Sequence, residues 1–240
     1  MKKFLKYFSL LFAFTIISSC AGQTNLRMSL SKVKNSILKI ETWASLDCNP
    51  DVMTCPEDQI LSTGTGAVVL HNNSKHVLTA AHICIQDKMP GAKINYYFKA
   101  VDQNSKQYVI KIINYDMKSD ICLLKSITGD LEPAFIPLSK KSPDYAEILY
   151  NLAAPMGIIE QGMVPVFNGQ YFGIHEGNAY YSIPAIGGSS GSPIVNSRGE
   201  LVGMVHSVHY RFHHITLSAT YQRLWNFLNV EKVRIIQVLN

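Results

Sequence analysis

Ile186-Gly187-Gly188-Ser189-Ser190-Gly191-Ser192-Pro193 places one serine, Ser190, between glycines two before and one after it. A serine hydroxyl is a poor nucleophile until a base takes its proton and donors stabilise the oxyanion it creates. Glycines at those positions let the backbone turn sharply, because glycine adopts positive φ without steric cost. A turn of that kind aims the N–H groups of Gly188 and Ser190 at one point, which is what an oxyanion hole requires. A Gly/Ser-rich surface turn has the same composition, so the stretch alone decides nothing. Two upstream stretches change its meaning: Leu78-Thr79-Ala80-Ala81-His82 and Ser119-Asp120-Ile121-Cys122-Leu123-Leu124. Together they supply a base, an orienting carboxylate and a nucleophile in the chain order His82, Asp120, Ser190.

Outward from these motifs the chain reads as all-β. Residues 38–42, 64–70, 75–79, 94–101, 107–113 and 121–124 are short runs rich in β-branched and aromatic residues, separated by turn signals. They describe a small antiparallel barrel, assigned to residues 29–137. Residues 138–144, Leu138-Ser139-Lys140-Lys141-Ser142-Pro143-Asp144, form a polar linker. The count restarts over 145–240, with candidates at 147–153, 162–167, 170–174, 179–183, 193–195, 201–207 and 215–219. Asn168-Gly169 is read as a turn between two of these and Asn196-Ser197-Arg198-Gly199 as a hairpin turn. Tyr221, Leu224, Trp225 and Leu228 fall on one helical face near the end of the chain, a helix expected to lie on a barrel.

The first twenty residues read as a secretory leader. Lys2, Lys3 and Lys6 precede a mostly apolar run from Phe8 to Ile17, too short for a comfortable membrane span. Without those three lysines the formal charge of +5 becomes +2. No basic stripe interleaved with aromatics is present, so nucleic acid is not an expected partner. Ile17-Ser18-Ser19-Cys20 resembles a bacterial lipoprotein signal. The resemblance implies cleavage before Cys20, lipid attachment there, and export to the periplasmic or cell-surface face of a bacterial membrane. Residues 21–28 then form a tether.

Four cysteines remain after Cys20, and an even number in an oxidising compartment suggests two disulfides with three possible connectivities. Cys48 and Cys55 bracket a short loop and can close it. Cys84 follows His82 by two residues and Cys122 follows Asp120 by two, so Cys84 and Cys122 meet if the histidine and aspartate touch. Two buried free thiols are the alternative.

At this point the chain resembles the chymotrypsin-fold, trypsin-like serine proteases, nearest to the bacterial HtrA-like group. The residues that carry the likeness are Gly64-Thr65-Gly66, Leu78-Thr79-Ala80-Ala81-His82, Asp116-Met117-Lys118-Ser119-Asp120-Ile121, Gly188-Ser189-Ser190-Gly191 and Gly199-Glu200-Leu201-Val202-Gly203. It implies two antiparallel six-stranded β-barrels with the site between them, to which the helix read near the chain end is added. His82 and Asp120 come from the first barrel and Ser190 from the second. Ser190 attacks a carbonyl, His82 moves the proton, Asp120 holds the imidazole, and the Gly188 and Ser190 N–H groups bind the oxyanion. Asp116 is the rival for the carboxylate role, but Asp120 directly precedes the strand, as in the family motif.

The chain also departs from relatives it resembles. Pro184 stands where trypsin-like enzymes carry a pocket aspartate. His206 comes one residue after the position of the pocket histidine in glutamyl endopeptidases. Neither Arg/Lys nor Glu specificity is therefore expected. Pro184, His206, Ser207 and Val208 are the expected pocket residues. His206, His209, His213 and His214 lack a supporting acid or cysteine, so they read as loop and pocket-wall histidines and no metal or cofactor is expected. The residue before Ser190 is Ser189, uncharged, so no inserted N-terminal ammonium would find a partner there. The oxyanion loop is then held locally, with the Ser189 and Ser192 hydroxyls as candidate donors. The reading is a serine endopeptidase of protein or peptide substrates; a non-catalytic binding module on the same fold and an esterase-type acyl hydrolase are the alternatives.

Overall fold

The computed structural model describes residues 23–46, 57–85 and 94–229. Helix α1 covers residues 23–34. The first barrel follows, with strands β1 (Ile37–Leu46), β2 (Gln59–His71), β3 (Ser74–Thr79), β4 (Ile94–Val101), β5 (Gln107–Asp116) and β6 (Ile121–Ser126). A one-turn helix α2 (Ala81–Cys84) interrupts it after β3. The second barrel contains β7 (Ile148–Leu152), a 3-10 turn (Pro155–Gly157), β8 (Val166–His175), β9 (Asn178–Tyr181), β10 (Pro193–Val195), β11 (Leu201–His209) and β12 (Phe212–Ala219), and helix α3 (Tyr221–Asn229) ends the described chain. Both barrels close, in the orders β1-β2-β3-β6-β5-β4 and β10-β11-β12-β9-β8-β7, with antiparallel neighbours throughout. This is the expected chymotrypsin-like architecture.

Local chemistry explains the joints. Asn72 and Asn73 both adopt positive φ, 49° and 58°, and join β2 to β3 by a two-residue turn. Two left-handed residues give such a turn the twist of the flanking strands. The Asn196 side chain accepts the N–H groups of Arg198 and Glu200 and so closes the β10–β11 turn.

Two sequence expectations change. The stretch 21–28 was expected to be a tether, yet the helix already begins at residue 23. Leu26, Leu30 and Val33 are spaced by four and three residues, which puts them on one helical face, and Val33 is buried in the main core. Asn168-Gly169 does not end a strand; β8 runs straight through it. A side chain at Gly169 would come within 2.2 Å of the Ser182 carbonyl oxygen, so the glycine marks a close backbone approach. Helix α3 buries Leu224 and Leu228 as expected, and the Tyr221 hydroxyl donates to the Ser139 carbonyl, while Trp225 stays 39% exposed. The leader with Cys20, the Cys48–Cys55 loop and residues 230–240 lie outside the described residues.

Candidate active site

His82 lies in α2, immediately beyond the end of β3. The Ala81 N–H donates to the Asp120 carbonyl, 3.2 Å away, which sets the turn against the start of β6. Asp120 adopts φ of 52°. Aspartate tolerates this left-handed conformation better than most residues. In that pose its carboxylate serves one neighbour twice: Oδ1 accepts the His82 backbone N–H at 2.8 Å, and Oδ2 lies 2.7 Å from His82 Nδ1. The imidazole is thereby held by its δ nitrogen. Burial alone would push the Asp120 carboxyl up. The His82 side-chain and backbone hydrogen bonds, with the charges of His82 and His206, outweigh burial and hold it below the usual carboxylate value. Asp116 accepts the Lys118 N–H and closes its own turn. A disulfide joins Cys84 to Cys122 with Cα atoms 6.6 Å apart, tying α2 to β6 beside the pair.

The Ser190 loop is docked onto the first barrel. The Thr65 N–H donates to the Ser190 carbonyl at 2.8 Å. The Thr65 hydroxyl donates to the Gly188 carbonyl at 2.7 Å and accepts the Ala154 N–H at 2.9 Å. The Gly191 N–H reaches the Val205 carbonyl at 2.7 Å, and the Ser192 N–H reaches the Ser189 carbonyl at 3.0 Å. Gly191 has φ of 86°, and a Cβ there would lie 2.1 Å from the Thr65 carbonyl oxygen and 3.0 Å from the Ala80 nitrogen. Only glycine lets the loop come this close to the strand end that leads into His82. Gly188, with φ of 90°, packs as tightly on the 3-10 turn, and the Met156 N–H donates to the Gly187 carbonyl at 2.7 Å.

The Ser189 and Ser192 hydroxyls differ from expectation. Ser189 Oγ accepts from the Ile186 N–H and Ser192 Oγ accepts from Asn151 Nδ2. Both hydroxyls thus act as acceptors where donors are expected, and they hold the loop together with backbone groups and Thr65. The Gly64-Thr65-Gly66 motif was the available signal for Thr65.

A cavity of about 710 Å³ opens beside Ser190, walled by Ala185, Ile186, Val205, Ser207 and Val208. Its wall carries no charged side chain. Ser207 and Val208, expected at the pocket, line this cavity. Pro184 and His206 do not line it. Pro184 ends one residue before the lining segment. His206 is the extra residue of a β-bulge: Val205 pairs with Ser218 and Ser207 with Leu217, so one residue of β11 has no opposite number. A bulge re-aims a side chain next to a site. The His206 ring lies within electrostatic reach of Asp120 and His82, and burial, opposed by Asp120, holds its pKa down. Its Nδ1 lies 3.0 Å from the Ser207 hydroxyl. His209 instead stacks on Tyr210 and tilts against Phe212.

The sequence profile of the trypsin-like peptidase domain matches residues 64–204. No curated protein shows a significant sequence match. Among solved structures, the serine endoprotease from Yersinia pestis superposes with a TM-score of 0.63 at 14% identity, covering 84% of this chain and 64% of that one. The chain therefore spans less than two thirds of that protein. The Rv3671c protease from M. tuberculosis superposes in its active form with a TM-score of 0.60 at 18% identity, covering 83% of this chain and 82% of that one. Its inactive form gives 0.60 at 17% identity, with 83% and 90% covered. At such identities the likeness is one of fold.

Proposed function

The chain belongs to the trypsin-like peptidase domain family, and from that premise we propose that it is a serine endopeptidase working through His82, Asp120 and Ser190. The observation that carries the reading is the doubly bonded His82–Asp120 pair, with the Ser190 loop docked on the same strand ends. Ser190 Oγ attacks the scissile carbonyl carbon while its proton passes to His82 Nε2. The protonated imidazole, stabilised by the ionised Asp120, then returns that proton to the leaving amine as the C–N bond breaks. Water repeats the sequence on the acyl-enzyme and frees Ser190. The oxyanion is held by the Gly188 and Ser190 N–H groups. In a trans peptide the C=O and N–H point in opposite directions. The carbonyls of Gly187 and Ser189 are engaged by Met156 and Ser192, which leaves the N–H ends of those two peptides for the substrate. The neutral, largely apolar cavity suits an uncharged aliphatic side chain before the scissile bond.

The leader supports export and anchoring through a lipidated Cys20 to a bacterial membrane. A palmitate analogue fed to an expressing bacterium tags the wild-type protein and not Cys20→Ser; an untagged wild type overturns the anchor. For the chemistry, the test is fluorophosphonate labelling and peptide-library hydrolysis. Ser190→Ala and His82→Ala lose both. Asp120→Asn keeps its fold and loses about 10⁴ in turnover because the imidazole tautomer is wrong, whereas Asp116→Asn stays near wild type. A Ser190→Ala protein that hydrolyses like wild type sinks the assignment.

A further inference from the structure

We propose that Thr65, a residue of the first barrel, is the positioning residue that sets the oxyanion loop of the second barrel, in place of any charged partner at Ser189. The inference rests on the serine-peptidase reading above. Thr65 is fully buried, and its three polar groups are all committed. The backbone N–H takes the Ser190 carbonyl, and the hydroxyl takes the Gly188 carbonyl and the Ala154 N–H. Its own carbonyl accepts the Thr79 hydroxyl at 2.8 Å, which anchors the clamp to β3, the strand leading into His82.

Peptide planarity turns these contacts into control of the loop. Fixing the Gly188 carbonyl fixes the plane between Gly188 and Ser189. Fixing the Ser190 carbonyl fixes the plane between Ser190 and Gly191. The plane between them, which carries the Ser190 N–H, is bracketed on both sides. The remaining plane carries the Gly188 N–H, and its carbonyl, on Gly187, is held by the Met156 N–H. Met156 belongs to the 3-10 turn that begins just after Ala154, the residue whose N–H the Thr65 hydroxyl accepts. One hydroxyl thus bears on both proposed donors, directly through Gly188 and indirectly through Ala154. Glycine at position 188 allows its neighbouring planes to rotate easily, so the loop needs an external clamp to present both N–H groups together. The uncharged Ser189 supplies no such clamp, and its hydroxyl is engaged within the loop by the Ile186 N–H.

The experiment compares Thr65→Val, which keeps the shape and deletes the hydroxyl, with Thr65→Ser, which keeps the hydroxyl. Losing an oxyanion donor costs about 10²–10³ in kcat; misaligning the donors through Thr65→Val is expected to lower kcat about 10- to 100-fold with KM within about twofold. Thr65→Ser is expected to restore kcat to within about threefold of wild type. A merely structural threonine would lower the melting temperature without this kcat-against-KM split. A well-folded Thr65→Val with wild-type kcat overturns the inference while leaving the peptidase reading intact. If Thr65→Val does not fold, Thr65→Ala against Thr65→Ser decides on the same readout. If the wild type neither labels nor hydrolyses, the peptidase reading fails and the clamp is judged by amide exchange over 186–192. There, about tenfold faster exchange in Thr65→Val than in Thr65→Ser supports the clamp, and equal rates overturn it.

Discussion

The two barrels share a topology but differ in how they hold their part of the site. In the first, β3 and β6 pair directly, are buried along most of their length, and carry His82 and Asp120 at their adjoining ends. The Cys84–Cys122 bridge lies beside that junction. These strands belong to a large core that also takes in Leu201 and Met204 from the second barrel and Leu224 and Leu228 from α3. The second barrel's separate core is built on only Leu149, Ala179, Tyr181, Ile183, Ala185, Ile194, Val202 and Val205. Along β8 no residue is buried. The histidine and aspartate are therefore positioned by their own barrel, whereas the serine loop is held both by its own barrel, at Val205, Asn151 and Met156, and by Thr65 reaching across from the other. Difference in core size predicts where the molecule tolerates damage.

The largest effects belong to the shared core. Leu78 and Leu149 are both fully buried, one in each core. Leu→Ala in a core costs about 2–5 kcal/mol, and the cost is greater where the surroundings cannot relax. Leu78→Ala is expected near the upper end of that range and Leu149→Ala near the lower end, measured by denaturant midpoints at unchanged slope. Equal costs would break the contrast between the barrels.

Removing the bridge comes next. Cys84→Ala with Cys122→Ala opens a loop whose ends are 38 residues apart, a span for which a disulfide contributes about 2–4 kcal/mol. Because α2 loses its tie to β6, turnover should fall as well, with KM little changed. Stability lost without any loss of turnover would show that the pair is held by the Asp120 hydrogen bonds alone.

A smaller effect tests those bonds. Asp120 is held below its usual pKa in the folded protein. A carboxylate depressed by folding contributes stability above its unfolded pKa and loses it as pH falls through the folded one. Comparison of wild type with Asp120→Asn should show wild type the more stable of the two at neutral pH. That gap should close on acidification below about pH 4. A gap that stays constant into strong acid would assign the difference to packing.

Most of this arrangement was legible in the sequence because the first barrel's motifs combine local pattern with chemistry. Asp120 stands directly before an apolar strand, His82 directly after one, and each has a cysteine two residues on, so one contact implied the other. What escaped depended on tertiary approach. Asn168-Gly169 carries the composition of a turn, but the glycine is there because the Ser182 carbonyl passes against it. Likeness to the pocket histidine of glutamyl endopeptidases places His206 at the pocket, whereas it is the extra residue of a bulge within electrostatic reach of Asp120 and His82. The role of Thr65 was hidden for the same reason. Its partners at Ala154, Gly188 and Ser190 are far away in the chain, and no local periodicity reports them.

The smallest expected effects lie on β8, where they sharpen the comparison most directly. Phe172 and Ile174 are 44% and 62% exposed on the outer face of the second barrel. Substitution of an exposed residue away from caps, networks and cores changes stability by about 0.5 kcal/mol or less. Phe172→Ser and Ile174→Ser should therefore fall within that margin and leave peptide hydrolysis unchanged, since neither residue lines the cavity beside Ser190. The backbone should report the same weakness. Local opening is easiest where few apolar contacts are buried, so the β8 amides should exchange well before those of β3 and β6, whose residues Val77, Leu78, Leu123 and Leu124 are fully buried. If β8 is protected as strongly as β6, or if Phe172→Ser costs as much as a core leucine, the outer face of the second barrel is part of its stable framework and the asymmetry between the barrels is lost. If β8 opens early while turnover is unaffected, the weak side of the second barrel loosens without moving the serine loop, which is held by Thr65 of the first barrel and by Val205 of β11.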